Sequence, residues 1–177
     1  GFQGDHCTYS RGYSLADRFG CIDSDGDGYS DPDPGGLNGF VPWYAHPVGK
    51  ADAFASDVTQ WNDTDEDGYG DNWADASLNV TRHLWDIGIF VDNATEPDAC
   101  PFVRGGSFAD RFGCPDTDGD AYSDGDENWT QDNGSDAFPL EPTQWLDSDR
   151  DGWGDNQTLG QLHQLLHHHW ETYQHAC

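Results

Sequence analysis

Apolar positions along the chain hold neither a 3.6-residue nor a two-residue period for long. Two stretches come nearest to a helical pattern. These are residues 75–91 and residues 158–175, where Leu159, Leu162, Leu165, Leu166 and Trp170 make a partial stripe. Elsewhere Gly, Pro, Asp and Asn recur too often for long helices or strands, since each favours turns or left-handed backbone over a regular ladder. The pattern predicts mostly irregular backbone, with a few short α-helices and little β structure. No run approaches the roughly 18 apolar residues of a membrane helix, so the chain is not expected to span a membrane.

Self-comparison supplies the organisation that periodicity lacks. Cys7-Thr-Tyr-Ser-Arg-Gly-Tyr-Ser-Leu-Ala-Asp-Arg-Phe-Gly-Cys21 matches Cys100-Pro-Phe-Val-Arg-Gly-Gly-Ser-Phe-Ala-Asp-Arg-Phe-Gly-Cys114 at an offset of 93, and residues 23–31 match 116–124 at the same offset. Residues 52–61 match 136–145, and 63–71 match 147–155, at an offset of 84, so the first copy carries a nine-residue insertion in the Gly/Pro-rich stretch 32–50. Two repeats are expected, 1–99 and 100–177. Each reads as a Cys loop, an Asp loop, a block containing Asp-Ala-Phe and Thr-Gln-Trp, a second Asp loop and a variable tail. The tail of the second is helical and His-rich.

Composition sharpens this picture. Hydrophobic residues make up 34% of the 177, too few for a conventional oily core. The formal charge of −27 would suggest disorder, but an aromatic content of 14%, including eight Trp, opposes that. The acid is 29 Asp against 5 Glu. Asp is the shorter carboxylate and bonds to nearby backbone in turns, which points to carboxylates set in tight loops. With only seven Lys and Arg there is no basic footprint for nucleic acid. The sequence contains no Met and reads as a processed product or a segment of something longer.

Four segments fit D-x-D-x-D-(G/A)-(Y/W)-(S/G)-D. Positions 1, 3 and 5 are Asp23, Asp25 and Asp27; Asp63, Asp65 and Asp67; Asp116, Asp118 and Asp120; Asp147, Asp149 and Asp151. Position 7 is aromatic (Tyr29, Tyr69, Tyr122, Trp153) and position 9 is Asp (Asp31, Asp71, Asp124, Asp155). Calcium takes six to eight oxygens; alternating Asp turns three carboxylates to one centre, position 6 makes the sharp turn, and position 7 offers a carbonyl. Solvated acidic turns are the alternative, but like charges this close repel unless a cation offsets them. Position 12, a bidentate Glu in an EF-hand, is Pro34, Ala74, Glu127 and Thr158 here. The loops, with their Cys placement, resemble thrombospondin type 3 repeats and the Asp-rich tandem repeats of large prokaryotic surface proteins. That resemblance covers about half the chain and implies an irregular backbone wound around calcium. In such repeats a further Asp follows position 9; Asp52 and Asp136 are the candidates, displaced by the inserted segments, with Glu127 competing for the third loop. Four sites, each at a free calcium concentration about 100 times its Kd, would add about 11 kcal/mol, as much as the net stability of a whole domain.

Cys7 with Cys21 and Cys100 with Cys114 have identical spacing, so local disulfides are the simplest pairing, which suits an extracellular or cell-surface location. Cys177 opens a further repeat, cross-links to another subunit, or is a buried free thiol. Asn62, Asn79, Asn93, Asn128, Asn133 and Asn156 head N-x-S/T sequons, many more than the roughly one expected by chance, and point to glycosylation. His163 and His167 stand four apart in the tail, but without H-E-x-x-H they do not form a zinc-protease motif. No nucleophile or phosphate-loop motif appears, so an enzyme is not expected. The expected function is an extracellular, calcium-binding, glycosylated structural repeat, holding about four ions or more and self-associating into a linear fibre, stalk or surface layer. The alternative is an adhesive or carbohydrate-binding module that engages cell-surface glycans through its exposed aromatics.

Overall fold

The computed structural model describes residues 4–37 and 41–156. Among these there is one α-helix, α1 (Asn79–Trp85), preceded by a 3-10 turn over Ala76–Leu78. Extended pairing is limited to isolated bridges, such as Asp33 with Trp43 and Gly70 with Pro97. The irregular backbone expected from the sequence is therefore observed, and α1 is shorter than the stretch 75–91. Asp75 starts the turn by accepting the Ser77 N–H at 2.8 Å. Asp86 ends α1 in the left-handed conformation, φ 55°. The second helical stretch, the His-rich tail and Cys177 lie outside the described residues.

The interior is polar. Among the described residues the buried hydrophobic side chains are Cys7, Cys21, Ala51, Trp73, Ala94 and Cys114. The other buried side chains include Ser14, Ser30, Asp52, Gln60, Asn72, Arg82, Asp98, Ser107, Ser123 and Asp136. Buried polar groups cost stability unless hydrogen-bonded, and here most are. Gln60 accepts the Asn72 N–H at 3.0 Å and donates to the Asn72 carbonyl at 3.1 Å, while the Asn72 amide donates to the Thr59 carbonyl at 2.8 Å. Gln144, Asn156 and Thr143 make the same three bonds.

Both expected disulfides are present, Cys7 with Cys21 and Cys100 with Cys114. Each closes its loop over a serine: the Ser14 hydroxyl accepts the Cys21 N–H, and the Ser107 hydroxyl accepts the Cys114 N–H, both at 3.0 Å. Gly12 and Gly105 are required where the strands of the loop meet, because a Cβ there would lie 1.7 Å from the Cys21 carbonyl oxygen or 1.9 Å from the Cys114 carbonyl carbon.

Bonds of the first half recur in the second, mostly at the sequence offsets of 93 and 84, with Trp43 and Trp129 at 86. Asp17 accepts the Ser30 N–H and hydroxyl and the Trp43 indole N–H. Asp110 accepts the Ser123 N–H and hydroxyl and the Trp129 indole N–H. Arg18 lies over the Trp43 ring at 4.9 Å and Arg111 over Trp129 at 5.0 Å. Tyr29 stacks on Trp61 at 5.2 Å, and Tyr122 on Trp145 at 5.0 Å. The position-7 aromatic of an Asp loop thus packs on the Trp that precedes the following Asp loop, which ties neighbouring loops together. Trp43 and Trp129 take the same place in the two halves although the matching sequence blocks do not include them.

Candidate metal centre

Each Asp loop is built by its own carboxylates. The position-1 Asp accepts the N–H of position 6 in every loop: Gly28, Gly68, Ala121 and Gly152 donate to Asp23, Asp63, Asp116 and Asp147 at 2.9–3.1 Å. The position-5 Asp accepts the N–H of position 7, at 2.7 Å for Asp27 and 2.9 Å for Asp67, Asp120 and Asp151. The position-9 Asp closes the loop onto position 2, accepting both its N–H and its hydroxyl, as Asp31 does from Ser24 and Asp71 from Thr64. Asp124 and Asp155 do the same for Thr117 and Ser148. The turn needs left-handed backbone at position 6, where Gly28, Gly68 and Gly152 have φ of 101°, 95° and 87°. Ala121 adopts φ 81° with a side chain, a conformation that costs an L-residue about 1–2 kcal/mol.

This folding brings three carboxylates together four times. In each loop the Asp of positions 1, 3 and 5 place one oxygen apiece within 4.8 Å of one another. Several of these oxygens have no hydrogen-bond partner although buried: Oδ2 of Asp25, Asp27, Asp118 and Asp120, and both carboxylate oxygens of Asp65. A buried carboxylate without a partner is costly. Burial pushes Asp27 up to about 6 against the bond from the Tyr29 N–H, with Asp25 and Asp23 adding repulsion. It pushes Asp65 to about 6 as well, helped by Asp67 and Asp63. Asp25 and Asp120 are raised for the same first reason. The carbonyls of Tyr29, Tyr69, Tyr122 and Trp153 accept no backbone bond from the described residues, which leaves a fourth oxygen open in each loop.

A further buried Asp is tethered to three of the four loops, the same way each time, though its carboxylate is not part of the clusters within 4.8 Å. The N–H of Asp52 bonds to the Ser30 carbonyl at 3.0 Å, that of Asp136 to Ser123 at 2.9 Å, and that of Asp98 to Gly70 at 2.9 Å. In each case the acceptor is position 8 of the loop. Each Asp then accepts, on Oδ1, the N–H two residues on: Phe54, Phe138 and Cys100, at 2.7, 2.7 and 2.6 Å. Asp52, Asp98 and Asp136 are 1%, 1% and 3% exposed, and Oδ2 of Asp98 and of Asp136 is unpartnered. Burial drives Asp52 and Asp98 up to about 8 and Asp136 to about 6, and the loop carboxylates push the same way: Asp27 and Asp25 on Asp52, Asp67 and Asp65 on Asp98, Asp120 and Asp118 on Asp136. Glu127, the competing candidate for the third loop, is exposed.

Asp98 is the residue that comparison of the sequence halves missed. Asp-x-Cys stands at both Asp5 and Asp98, at the offset of 93, two residues outside the Cys-to-Cys block. Its neighbour Arg82, buried in α1, hydrogen-bonds to the Asp98 carbonyl and lies 5.3 Å over the Trp85 ring. The fourth loop differs: Asp149, Asp151 and Trp153 are exposed, and no described residue donates a backbone N–H to the Gly154 carbonyl.

The sequons are spread over the surface. Asn93, Asn128 and Asn133 are exposed, and Asn62 is half-buried. Asn79 accepts the Trp73 indole N–H at 2.7 Å, and the Asn156 amide donates to Thr143. No described helix is long and apolar enough to cross a membrane. No protein family, curated protein or solved structure matches the chain.

Proposed function

We propose that the chain is an extracellular calcium-binding repeat protein, of the thrombospondin type 3 kind, whose ions take the place of a hydrophobic core in a glycosylated structural unit. The observation that carries this reading is the recurring set of a three-Asp cluster, an open carbonyl and a buried Asp clamped to the position-8 carbonyl. Five oxygen-bearing groups of that kind, completed by water or by a bidentate carboxylate, match the six to eight hard oxygen ligands of calcium. Thiolate and imidazole are absent from the clusters, which disfavours softer metals. Magnesium needs a tighter octahedron and gives up its water reluctantly, so it is the weaker ligand. Structural rather than catalytic chemistry follows, because the charges are consumed in binding the ion and each loop is braced by its own backbone bonds. The disulfides and the sequons support an oxidising, secretory setting.

Calorimetric titration of metal-free protein tests the reading. At least three calcium ions are expected to bind, with a large rise in melting temperature and a much smaller one from magnesium. No heat and no stabilisation at millimolar calcium would end it. Calcium binding together with strong recognition on a glycan array, and no self-association, would favour the adhesive module instead.

A further inference from the structure

Loop 2 and the second Cys loop form a junction inside the chain. Asp98 completes the loop, the Gly105 N–H bonds to Asp67 Oδ2 at 3.1 Å, and Arg104 bonds to the Asp65 carbonyl at 3.0 Å and to the carbonyl of Glu66. The Tyr69 ring meets Phe112 at 5.7 Å. Each half of this junction has a counterpart elsewhere, although the Phe19 ring already meets that of His6 at 5.7 Å. At the offset of 84, Asp67, Tyr69 and Gly70 correspond to Asp151, Trp153 and Gly154, where Trp153 is 79% exposed. At the offset of 93, Asp98, Gly105 and Phe112 correspond to Asp5, Gly12 and Phe19.

Asp5 is held as Asp98 is. It accepts the Cys7 N–H at 2.8 Å, as Asp98 accepts that of Cys100. The His6 N–H bonds to the Phe19 carbonyl at 3.0 Å, as that of Ala99 bonds to Phe112 at 2.9 Å. A Cβ on Gly20 would stand 2.7 Å from Asp5 Oδ1, and one on Gly113 would stand 2.4 Å from Asp98 Oδ1. Asp5 is thus held in the posture of Asp98 and is exposed, with no hydrogen bond to the four loops among the described residues, while loop 4 has no tethered Asp of this kind among the described residues.

We propose that copies of this chain join head to tail, the exposed loop 147–155 of one copy receiving Asp5 and the Cys loop 7–21 of the next, with one calcium ion shared across the contact. This rests on the reading of the Asp loops as calcium sites. The internal junction is the template: Gly12 would bond to Asp151, Arg11 to the Asp149 carbonyl, and Phe19 would cover Trp153. Arg150 replaces Glu66 and already pairs with Asp132, so the exposed pair of Arg104 with Glu66 has no equivalent, a small loss for a surface ion pair. The contact is heterologous and propagates as a line. With a formal charge of −27, copies repel one another unless the cation is present.

Sedimentation velocity of the whole chain, with and without calcium, tests this. The wild type is expected to form species longer than dimers in calcium and to revert to monomer in chelator. Asp5→Asn keeps the Oδ1 bond to Cys7 but loses the charge; Asp151→Asn does the same at the other end. Each alone should weaken association at least tenfold, while an equimolar mixture, having one intact head and one intact tail, should stop at dimers. Calcium titration of each variant must still show the ions of loops 1–3, which establishes folding. A wild type that binds three or more ions yet stays monomeric, or an Asp5→Asn variant that assembles like the wild type, overturns the junction and leaves the calcium reading intact. Absence of any bound calcium overturns both.

Discussion

Replacing Asp98 with Asn should change stability in opposite directions with and without calcium. Asn preserves the shape and the acceptor that takes the Cys100 N–H, and removes only the charge. In the metal-free protein burial and the loop carboxylates raise Asp98 to about 8, from about 3.9 in an unfolded chain. Holding that carboxyl protonated at pH 7 therefore costs about 3 units, or on the order of 4 kcal/mol at ~1.36 kcal/mol per unit. This is an upper bound, because neighbours and water relax around a charge. Asp98→Asn removes the cost and should raise the melting temperature in chelator. On the proposed reading, the same change in calcium deletes a ligand of loop 2. Loss of a site occupied at about 100 times its Kd removes about 2.7 kcal/mol. For a chain of this length that is a fall of about 5–11 °C. Differential scanning calorimetry of both proteins in chelator and in calcium decides the matter. If Asp98→Asn lowered the melting temperature equally in both conditions, Asp98 would be a packing residue and the ligand assignment would fail.

The pH dependence of the metal-free chain should run opposite to that of most proteins. Asp52 and Asp98 at about 8, and Asp136 at about 6, lie above their unfolded values, so the folded state holds protons that the unfolded state has released. Stability is then greatest near pH 4 and falls as pH rises through about 6 and about 8; with calcium, which needs the deprotonated carboxylates, it should rise instead, and melting at pH 5 and pH 8 in both conditions checks the inversion. Ala121→Gly should relieve the left-handed strain in loop 3 and raise stability by about 1 kcal/mol, read as a higher midpoint of chemical unfolding in calcium. Peptide mapping of the protein expressed through a glycosylating secretory host should find glycans on exposed Asn93, Asn128 and Asn133 and a lower occupancy on Asn156, whose amide is engaged with Thr143.

The irregular backbone, the two disulfides and the four carboxylate clusters were legible in the sequence because each is written in local spacing. Asp at alternate positions clusters within nine residues, and Cys7 and Cys21 close a short loop. Asp52 and Asp136 were expected at loops 1 and 3 from the resemblance; what spacing could not convey is that Asp98 meets loop 2. Asp52 and Asp136 lie 29 and 20 residues from the carboxylates that start their loops, and Asp98 lies 35 from Asp63. Their placement depends on single backbone bonds to Ser30, Ser123 and Gly70, which have no periodic signature. Asp17 and Asp110 escaped as functional residues for a related reason. Their repeated Ala-Asp-Arg-Phe-Gly was visible, but their task, gripping the position-8 serine and an indole from the segment after the Asp loop, is tertiary. Helix α1 was overextended from pattern alone because Asp86 and Gly88 stop it through left-handed backbone.

A core of Ser, Gln, Asn and Asp has a thermal consequence. The heat-capacity change of unfolding comes from newly hydrated apolar surface, and polar surface contributes with the opposite sign. With Trp73 the one large apolar side chain fully buried among the described residues, that change should be small for the length of the chain. The stability curve is then broad and shallow instead of sharply domed, so the fold weakens little on cooling. On the calcium reading proposed above, the concentration of free calcium should then set its stability more strongly than temperature does.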